Sequence, residues 1–147
     1  MKRTPLYVDA NMINRVIFPD DTRGRIARKV IERQFEIRNN VIPLIEAVRA
    51  RLSVSKRNAL MSMLLGRDVD HPDLADWRKS VTLLREWKAR RPEAGVEHVR
   101  KMQLDCLLAA MAVRTRTAVL TNDGDFALLR EIDPRLMLPS PVQYGYN

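Results

Sequence analysis

Sulfur and imidazole ligands are scarce in this 147-residue chain, which has one cysteine and two histidines. Because Cys106 is the only cysteine, neither an intrachain disulfide nor a cysteine-rich zinc site can form. A Cys–His nucleophile pair would have to use His71 or His98, and a small buried thiol is the simpler interpretation of Cys106. Any catalytic site is therefore expected to depend on other side chains, and carboxylates are the first candidates.

Long apolar runs are also missing. No run approaches the roughly 20 residues that a helix needs to cross a bilayer. The opening residues, Met-Lys-Arg-Thr-Pro, lead straight into a short strand-like run and do not resemble a signal peptide. We therefore expect a cytoplasmic protein with no membrane association. The length and the 46% apolar content suit one domain, residues 1–147, with a single core.

Acidic residues are outnumbered by basic ones. Lysine and arginine total 26 against 18 aspartates and glutamates, a formal net charge of +8. This excess favours a polyanionic partner or an acidic protein partner, although charge alone is weak evidence. Acids gathered at the ends of apolar strands strengthen the case, because a metal site that faces a phosphate backbone combines acids with a basic body.

The stretch Thr117–Phe126 combines a short apolar run with two carboxylates. Its first part, Ala118–Leu120, is too short for a helix and suits a buried parallel strand that ends before Gly124. Asp123 and Asp125 would then lie at a strand's carboxyl end, where open α/β sheets bind ligands. With no lysine or arginine between them, these two carboxylates repel each other unless a cation or a proton intervenes.

A second apolar run, Leu6–Val8, also leads into an acid, Asp9. The apolar spacing of Asn11–Phe18 predicts a helix directly afterwards, so Asp9 would occupy a strand-to-helix turn. The alternative role for this residue is that of a helix N-cap, which requires no chemistry.

The last long helix is predicted over about Val96–Thr115 and contains Asp105 among apolar neighbours. Burying a lone carboxylate is costly, so Asp105 is expected to have a hydrogen-bond donor, a cation or a raised pKa. An N-cap role does not suit a position so far inside the helix. The alternative to a functional role is a buried ion pair with Arg114 or Arg116.

A helix predicted over Arg23–Arg38 would present a basic face. Glu32 and Glu36 lie one turn apart on it, where basic neighbours offer ordinary ion pairs worth roughly a few tenths of a kcal/mol. Asn39 and Asn40 would then end the helix.

Glu46 follows the run Val41–Ile45, which we predict to be the second strand. It would head a helix over Ala47–Leu52 and lie near a strand's carboxyl end, as the other candidate acids do. The alternative is a first-turn glutamate that only complements the helix dipole. Glu46 is the preferred additional acid of the site, with Glu36 in reserve.

Asp73 is predicted to cap a helix that continues to about Arg90, preceded by a polar turn at Asp68–Pro72. Trp77 and Trp87 keep the apolar spacing of this helix. That spacing suits a core position or a contact between two subunits better than stacking on bases. We therefore expect a homodimer.

The order of elements is typical of an α/β fold, a three-layer α/β/α sandwich with a short central parallel sheet. The strands would be Leu6–Val8, Val41–Ile45, Ala118–Leu120 and Arg135–Leu138, three of them ending in acids. The tail from Pro139 is expected to lack regular structure. A carboxylate cluster without histidine or cysteine suits Mg²⁺ or Mn²⁺ better than zinc, and such an ion can activate water for in-line attack on a phosphodiester.

Three motifs then stand in order along nearly the whole chain: Tyr7–Asn11 (Tyr-Val-Asp-Ala-Asn), Leu104–Ala112 (Leu-Asp-Cys-Leu-Leu-Ala-Ala-Met-Ala) and Val119–Phe126 (Val-Leu-Thr-Asn-Asp-Gly-Asp-Phe). Together they resemble the PIN-domain ribonucleases, and within them the VapC-like toxins of bacterial type II toxin–antitoxin pairs. The family usually has a hydroxyl residue after the first aspartate, where this chain has Ala10.

This resemblance implies a PIN-like, divalent-metal-dependent endoribonuclease, a hydrolase that cleaves RNA phosphodiester bonds with Mg²⁺ or Mn²⁺. It also implies a toxin with a cognate antitoxin partner. The expected site residues are catalytic metal-binding acids, an auxiliary metal-binding acid and polar supports. The catalytic metal-binding acids are Asp9, Glu46, Asp105 and Asp123. Asp125 is the auxiliary metal-binding acid, and Asn11 and Thr121 are the polar supports. Glu32, Glu36 and Glu46 all fall in the interval where the family places its second acid, and Glu46 is preferred because it follows the predicted second strand.

Two other classes compete with this interpretation. A haloacid-dehalogenase-type phosphatase also begins with an acid after its first strand, but its chemistry needs a second aspartate two residues later, where Asn11 stands. The other alternative is a non-catalytic PIN-type module that only binds RNA or protein. The retained acids argue against it, because binding a polyanion would favour their removal.

Overall fold

A parallel sheet between two helical layers forms the centre of the protein, as shown by a computed structural model that describes residues 2–141. Within these residues there are four strands, which follow one another in the spatial order β3-β2-β1-β4 with every neighbouring pair parallel. They are β1 (Thr4–Val8), β2 (Phe35–Asn40), β3 (Val69–Asp70) and β4 (Ala118–Leu120). The predicted three-layer α/β/α sandwich with a short parallel sheet is confirmed.

The helices cover both faces of the sheet. In chain order they are α1 (Ala10–Val16), α2 (Thr22–Gln34), α3 (Val41–Arg49), α4 (Val54–Leu64), α5 (Leu74–Arg90), α6 (Val96–Thr115) and α7 (Asp125–Ile132). Side chains alternate across β1, so Leu6 and Val8 pack against α1 to α4 while Tyr7 packs against α5 to α7. None of the helices between residues 2 and 141 combines the length and the apolar character that crossing a lipid bilayer requires.

The predicted strand at Val41–Ile45 is wrong, because these residues begin helix α3. The Asn40 side chain accepts a hydrogen bond from the Ile42 backbone N–H and caps the helix. Pro43 falls in the first turn, where the backbone N–H groups have no partner inside the helix and a proline costs little. A short apolar run looks the same in a buried helix and in a buried strand, so the sequence pattern could not separate them.

Helix α2 accordingly ends at Gln34, and the predicted extension to Arg38 is strand β2 instead. Glu36 and Arg38 are exposed while Ile37 is half-buried, which is the alternation of a strand. Charged side chains on the exposed side made this segment look like the continuation of the basic helix.

The predicted last strand, Arg135–Leu138, is also wrong. This segment is irregular, and the backbone hydrogen bond from Val119 N to the Met137 oxygen, 2.9 Å, attaches it to β4. The sheet instead gains β3, a strand that was not predicted. It is only two residues long and lies within the predicted polar turn at Asp68–Pro72. The tail, expected to be irregular from Pro139 on, lies outside the described residues after position 141.

Candidate metal centre

Three carboxylates from three different elements meet at the carboxyl end of the sheet. Asp9 directly follows β1, Glu46 lies in the second turn of α3, and Asp105 lies in the middle of α6. One carboxylate oxygen of each residue lies within 4.8 Å of the corresponding oxygens of the other two. Asp9 and Asp105 are buried and Glu46 is half-buried. We call these three residues the acid cluster.

Asp9 is held in one orientation by two hydrogen bonds. Its Oδ1 accepts from the Ala10 backbone N–H at 2.9 Å, and its Oδ2 accepts from the Thr121 hydroxyl at 2.7 Å. It is also the N-cap of α1, so the cap position and a place in the acid cluster belong to the same residue. Burial raises the pKa of Asp9 above its usual value, and the charge of Asp123 raises it further. The two hydrogen bonds lower the pKa but do not cancel this rise.

Glu46 reaches the acid cluster by a different route from the predicted one. It does not follow a strand; it lies one turn inside α3, a helix that starts where β2 ends. The start of α3 is therefore at the carboxyl end of the sheet, and the second turn carries Glu46 to Asp9. Burial, followed by the negative charge of Asp9, raises the pKa of Glu46 to about 7, although Lys101 and Arg49 oppose the shift.

Asp105 is 3% exposed, and its Oδ2 is buried without a hydrogen-bond partner among the described residues. Burial raises its pKa to about 8, and the charges of Asp9 and Glu46 add to the effect. The alternative of an ion pair with Arg114 is not realised, because that guanidinium binds Asp76 at 2.8 and 2.9 Å. Arg114 lies nine positions after Asp105, roughly 13 Å further along the helix.

Asp123 lies beside the acid cluster, and its carboxylate forms hydrogen bonds with groups outside the cluster. Its Oδ2 accepts a hydrogen bond from Lys101 Nζ at 2.6 Å, and its Oδ1 accepts from the Asp125 backbone N–H at 3.0 Å. Burial acts to raise the pKa of Asp123, but the hydrogen bonds from Lys101 and from the Asp125 backbone, together with the charge of Lys101, more than offset it. The pKa of Asp123 therefore falls below its usual value. Among the described residues, Asp123 is therefore an ionised neighbour of the acid cluster and is not part of it.

Asp125, the predicted auxiliary acid, also has a partner of its own. Its Oδ2 lies 2.9 Å from Nε2 of His98, whose ring packs edge-on against Trp87 with centroids 4.9 Å apart. His98 was not among the predicted residues, and neither was Lys101. Both lie on the same face of α6 as Asp105, at spacings of seven and four residues, so helical periodicity could have indicated them.

The two predicted polar supports join the ends of the neighbouring strands. Thr121 follows β4 and uses one hydroxyl twice, donating to Asp9 and accepting from the Asp123 backbone N–H at 3.0 Å. Asn11 Oδ1 accepts from the Asn122 backbone N–H at 3.2 Å. The start of α1 and the loop after β4 are thus tied together on either side of the acid cluster.

The donor set of the acid cluster fits a hard divalent cation. All its potential ligands are carboxylate oxygens, which Mg²⁺ and Mn²⁺ prefer and zinc does not. Burial, with the repulsion between these acids added to it, raises the pKa of Glu46 and of Asp105, and a bound cation would favour their ionised forms. The partnerless Asp105 Oδ2 is a buried acceptor that a cation would satisfy.

Solved structures of other proteins share the fold of this chain, and the following three are among them. VapBC2 from Rickettsia felis bound to a DNA fragment from its promoter gives a TM-score of 0.62 at 15% identity, covering 92% of this chain and 98% of that one. FitAcB from Neisseria gonorrhoeae gives a TM-score of 0.59 at 17% identity, covering 93% of this chain and 98% of that one. VapBC-1 from nontypeable Haemophilus influenzae gives a TM-score of 0.61 at 13% identity, covering 97% of this chain and 99% of that one.

Identities this low show a common fold and no more, and the search of curated proteins found no match. The family assignment comes from the sequence itself. The family model of the PIN domain matches residues 6–132, a span that starts in β1, ends with α7 and includes the acid cluster. This protein therefore belongs to the PIN domain family.

Proposed function

We propose that the protein is a divalent-metal-dependent endoribonuclease. The observation that carries this proposal is the acid cluster, three carboxylates within 4.8 Å of one another at the carboxyl end of the sheet. Their raised pKa values and the partnerless Asp105 oxygen support a cation there. The formal net charge of +8 supports a polyanionic substrate, and membership of the PIN domain family supports a nuclease.

Asp9, Glu46 and Asp105 would hold Mg²⁺ or Mn²⁺, with Asp123 and Asp125 as further acids at the edge of the site. The bound ion would supply an activated water and charge neutralisation for attack on the phosphodiester. Thr121 would keep the Asp9 carboxylate oriented through its 2.7 Å hydrogen bond.

Affinity for RNA would come from the basic surface. Arg25, Lys29 and Arg33 are exposed on α2, and each can contact a phosphate. The choice of RNA over DNA rests on the family resemblance, and single-stranded or loop regions are the accessible targets because their backbone and bases are not hidden in a duplex.

Incubation of the purified protein with structured RNAs in Mg²⁺, Mn²⁺ or EDTA tests the proposal. We expect cleavage in the two metals and none in EDTA or in the Asp9→Asn variant. Since water would be the nucleophile, the products should carry no 2′,3′-cyclic phosphate, which separates this activity from a contaminating metal-independent ribonuclease. Cleavage in EDTA, or none in either metal across diverse RNAs, would contradict the enzyme assignment and favour the non-catalytic alternative.

We further infer a toxin that acts in the cytoplasm with a cognate antitoxin. The resemblance to VapC-like toxins supports this, and the fold is similar to VapBC2 and VapBC-1. A suitable partner would place an arginine among the carboxylates while its acidic residues meet the basic face of α2. Co-expression and pull-down with the product of the adjacent reading frame tests the partner. Harmless expression without that frame would argue against toxicity and leave the nuclease assignment intact.

A homodimer remains a prediction, and one of the two tryptophans supports it. Trp87 is fully buried in the core, whereas Trp77 is 54% exposed. Leu74 and Val81, at 62% and 59% exposed, lie three residues before and four residues after Trp77 on the same face of α5. A second copy would cover this apolar face. The mass in solution by light scattering should be that of a dimer for the native chain and of a monomer for Trp77→Arg.

A further inference from the structure

Lys101 places a positive charge at the edge of the acid cluster. Its Nζ lies 2.6 Å from Asp123 Oδ2, and the lysine side chain is 56% exposed while that of Asp123 is 14% exposed. Lys101 precedes Asp105 by four residues on α6, so both side chains leave the same face of the helix. The ammonium group therefore approaches the site from its solvent side, and its flexible stem can move outward.

The charge of Lys101 acts on every member of the acid cluster. It lowers the pKa of Asp9, Glu46 and Asp105, although burial has the larger and opposite effect on each of them. A single ammonium thus compensates part of the negative charge of a site that would otherwise attract a divalent cation more strongly.

We propose that Lys101 is the counter-ion that a divalent cation displaces from Asp123, and that the displaced ammonium binds a phosphate of the RNA. The first half follows from the contacts of Asp123, because its Oδ1 accepts a hydrogen bond from the Asp125 backbone N–H while its Oδ2 accepts one from the Lys101 ammonium. Only Oδ2 can be released without disturbing the loop. The second half rests on the proposed function. A half-exposed lysine beside the acids has three donors to offer to an incoming phosphate.

This role differs from that of an ordinary ion pair between a helix and a loop. If Lys101 only held the loop after β4 in place, its loss would weaken metal binding, RNA binding and stability together. If it competes with the metal and then contacts RNA, its loss has opposite effects on the two ligands. The two roles are separable because metal binding can be measured without RNA.

The first test compares Mn²⁺ binding by titration calorimetry in the native chain, Lys101→Met and Arg100→Met. Arg100 carries the same charge on the neighbouring residue, but it is 68% exposed and pairs with Glu97 at 3.1 Å. We expect Lys101→Met to bind Mn²⁺ about threefold to tenfold more tightly and Arg100→Met to stay within about twofold of the native chain. Unchanged or weaker binding in Lys101→Met, or an equal gain in Arg100→Met, would overturn the proposal.

The second test measures RNA cleavage at saturating Mn²⁺. Lys101→Met should raise KM by about threefold to tenfold with a smaller change in kcat, and Lys101→Arg should restore KM. Thermal melting in EDTA confirms that each variant is folded. A native chain that binds no Mn²⁺ would overturn the proposed function and this inference together. Tight Mn²⁺ binding by the native chain with no gain in Lys101→Met would overturn this inference alone.

Discussion

The Thr121 hydroxyl donates a 2.7 Å hydrogen bond to Asp9 Oδ2 and so connects the ends of two neighbouring parallel strands, β1 and β4. The same oxygen accepts a hydrogen bond from the Asp123 backbone N–H at 3.0 Å. One small side chain therefore fixes both the orientation of a carboxylate in the acid cluster and the start of the loop that carries Asp123.

Replacing Thr121 by valine should weaken Mn²⁺ binding by about 10-fold to 100-fold, because Asp9 loses the donor that orients it. The shape of the side chain is kept, so the fold should survive with a modest loss of stability. Thr121→Ser is the matched control, since it keeps the hydroxyl and should bind Mn²⁺ nearly as the native chain does. Native Mn²⁺ affinity in Thr121→Val, measured by titration calorimetry, would show that this hydrogen bond does not support the site.

Glu46→Gln should reduce metal-dependent RNA cleavage by roughly 100-fold or more, because the amide keeps the shape and removes the charge that a metal requires. Glu36→Gln is the control for the same chemical change. Glu36 is exposed on β2, so this variant should cleave RNA at nearly the native rate. Both rates are measured at saturating Mn²⁺ with circular dichroism as a check on folding, and the reverse pattern would exclude Glu46 from the site.

The elements that the sequence predicts well are those with strong local signals. Helix α6 spans Val96–Thr115 as predicted, and α5 begins after Asp73, whose side chain accepts a hydrogen bond from the Asp76 backbone N–H. Long apolar periodicity and a capping aspartate leave little choice of structure. Asp9 and Asp123 likewise follow β1 and β4, two neighbouring strands of the sheet, so their positions depend on the chain shortly before them.

The errors arise where local patterns are ambiguous. The apolar run at Val41–Ile45 fits a strand and a buried helix equally well, and the tertiary context decides for the helix. Glu46 still lies near Asp9, because a helix that starts at the end of β2 leads to the same edge of the sheet. The contacts of Asp123 with Lys101 and of Asp125 with His98 depend on how a loop folds back onto α6. Sequence spacing alone does not determine that packing.

The stability of the metal-free protein should fall as the pH rises from about 5 to about 8. Glu46 and Asp105 have pKa values raised to about 7 and about 8, against 4.5 and 3.8 for the unperturbed groups. Between these limits the folded state binds more protons than the unfolded state, so raising the pH favours unfolding. The lowered pKa of Asp123 acts in the opposite sense, but only below its unperturbed value of 3.8.

Melting curves in EDTA at several pH values measure this dependence. Saturating Mg²⁺ should raise the melting temperature more at about pH 8 than at about pH 5, because the ion binds the ionised carboxylates. A metal-free protein whose stability is constant or increases over this range would contradict the raised pKa values. An equal effect of Mg²⁺ at both pH values would argue against binding at the acid cluster.

Asp105→Asn should abolish metal-dependent cleavage and at the same time raise the stability of the metal-free protein. The asparagine keeps the shape of the side chain and removes a charge that is costly because it is buried and lies beside Asp9 and Glu46. At about pH 8 we expect the free energy of unfolding to rise by at least about 1 kcal/mol and the melting temperature by roughly 2–4 °C.

Asp133→Asn provides the matched control for this last change, since Asp133 is also a buried aspartate, 6% exposed. Its carboxylate is paired with Arg135 at 2.8 Å and Lys79 at 3.2 Å, and the hydrogen bond from Arg135 holds its pKa well below the usual value. Neutralising Asp133 should therefore lower stability, whereas neutralising Asp105 raises it. A fall in the melting temperature of Asp105→Asn in EDTA would show that the carboxylate has a stabilising partner and that the acid cluster is a structural feature of the core.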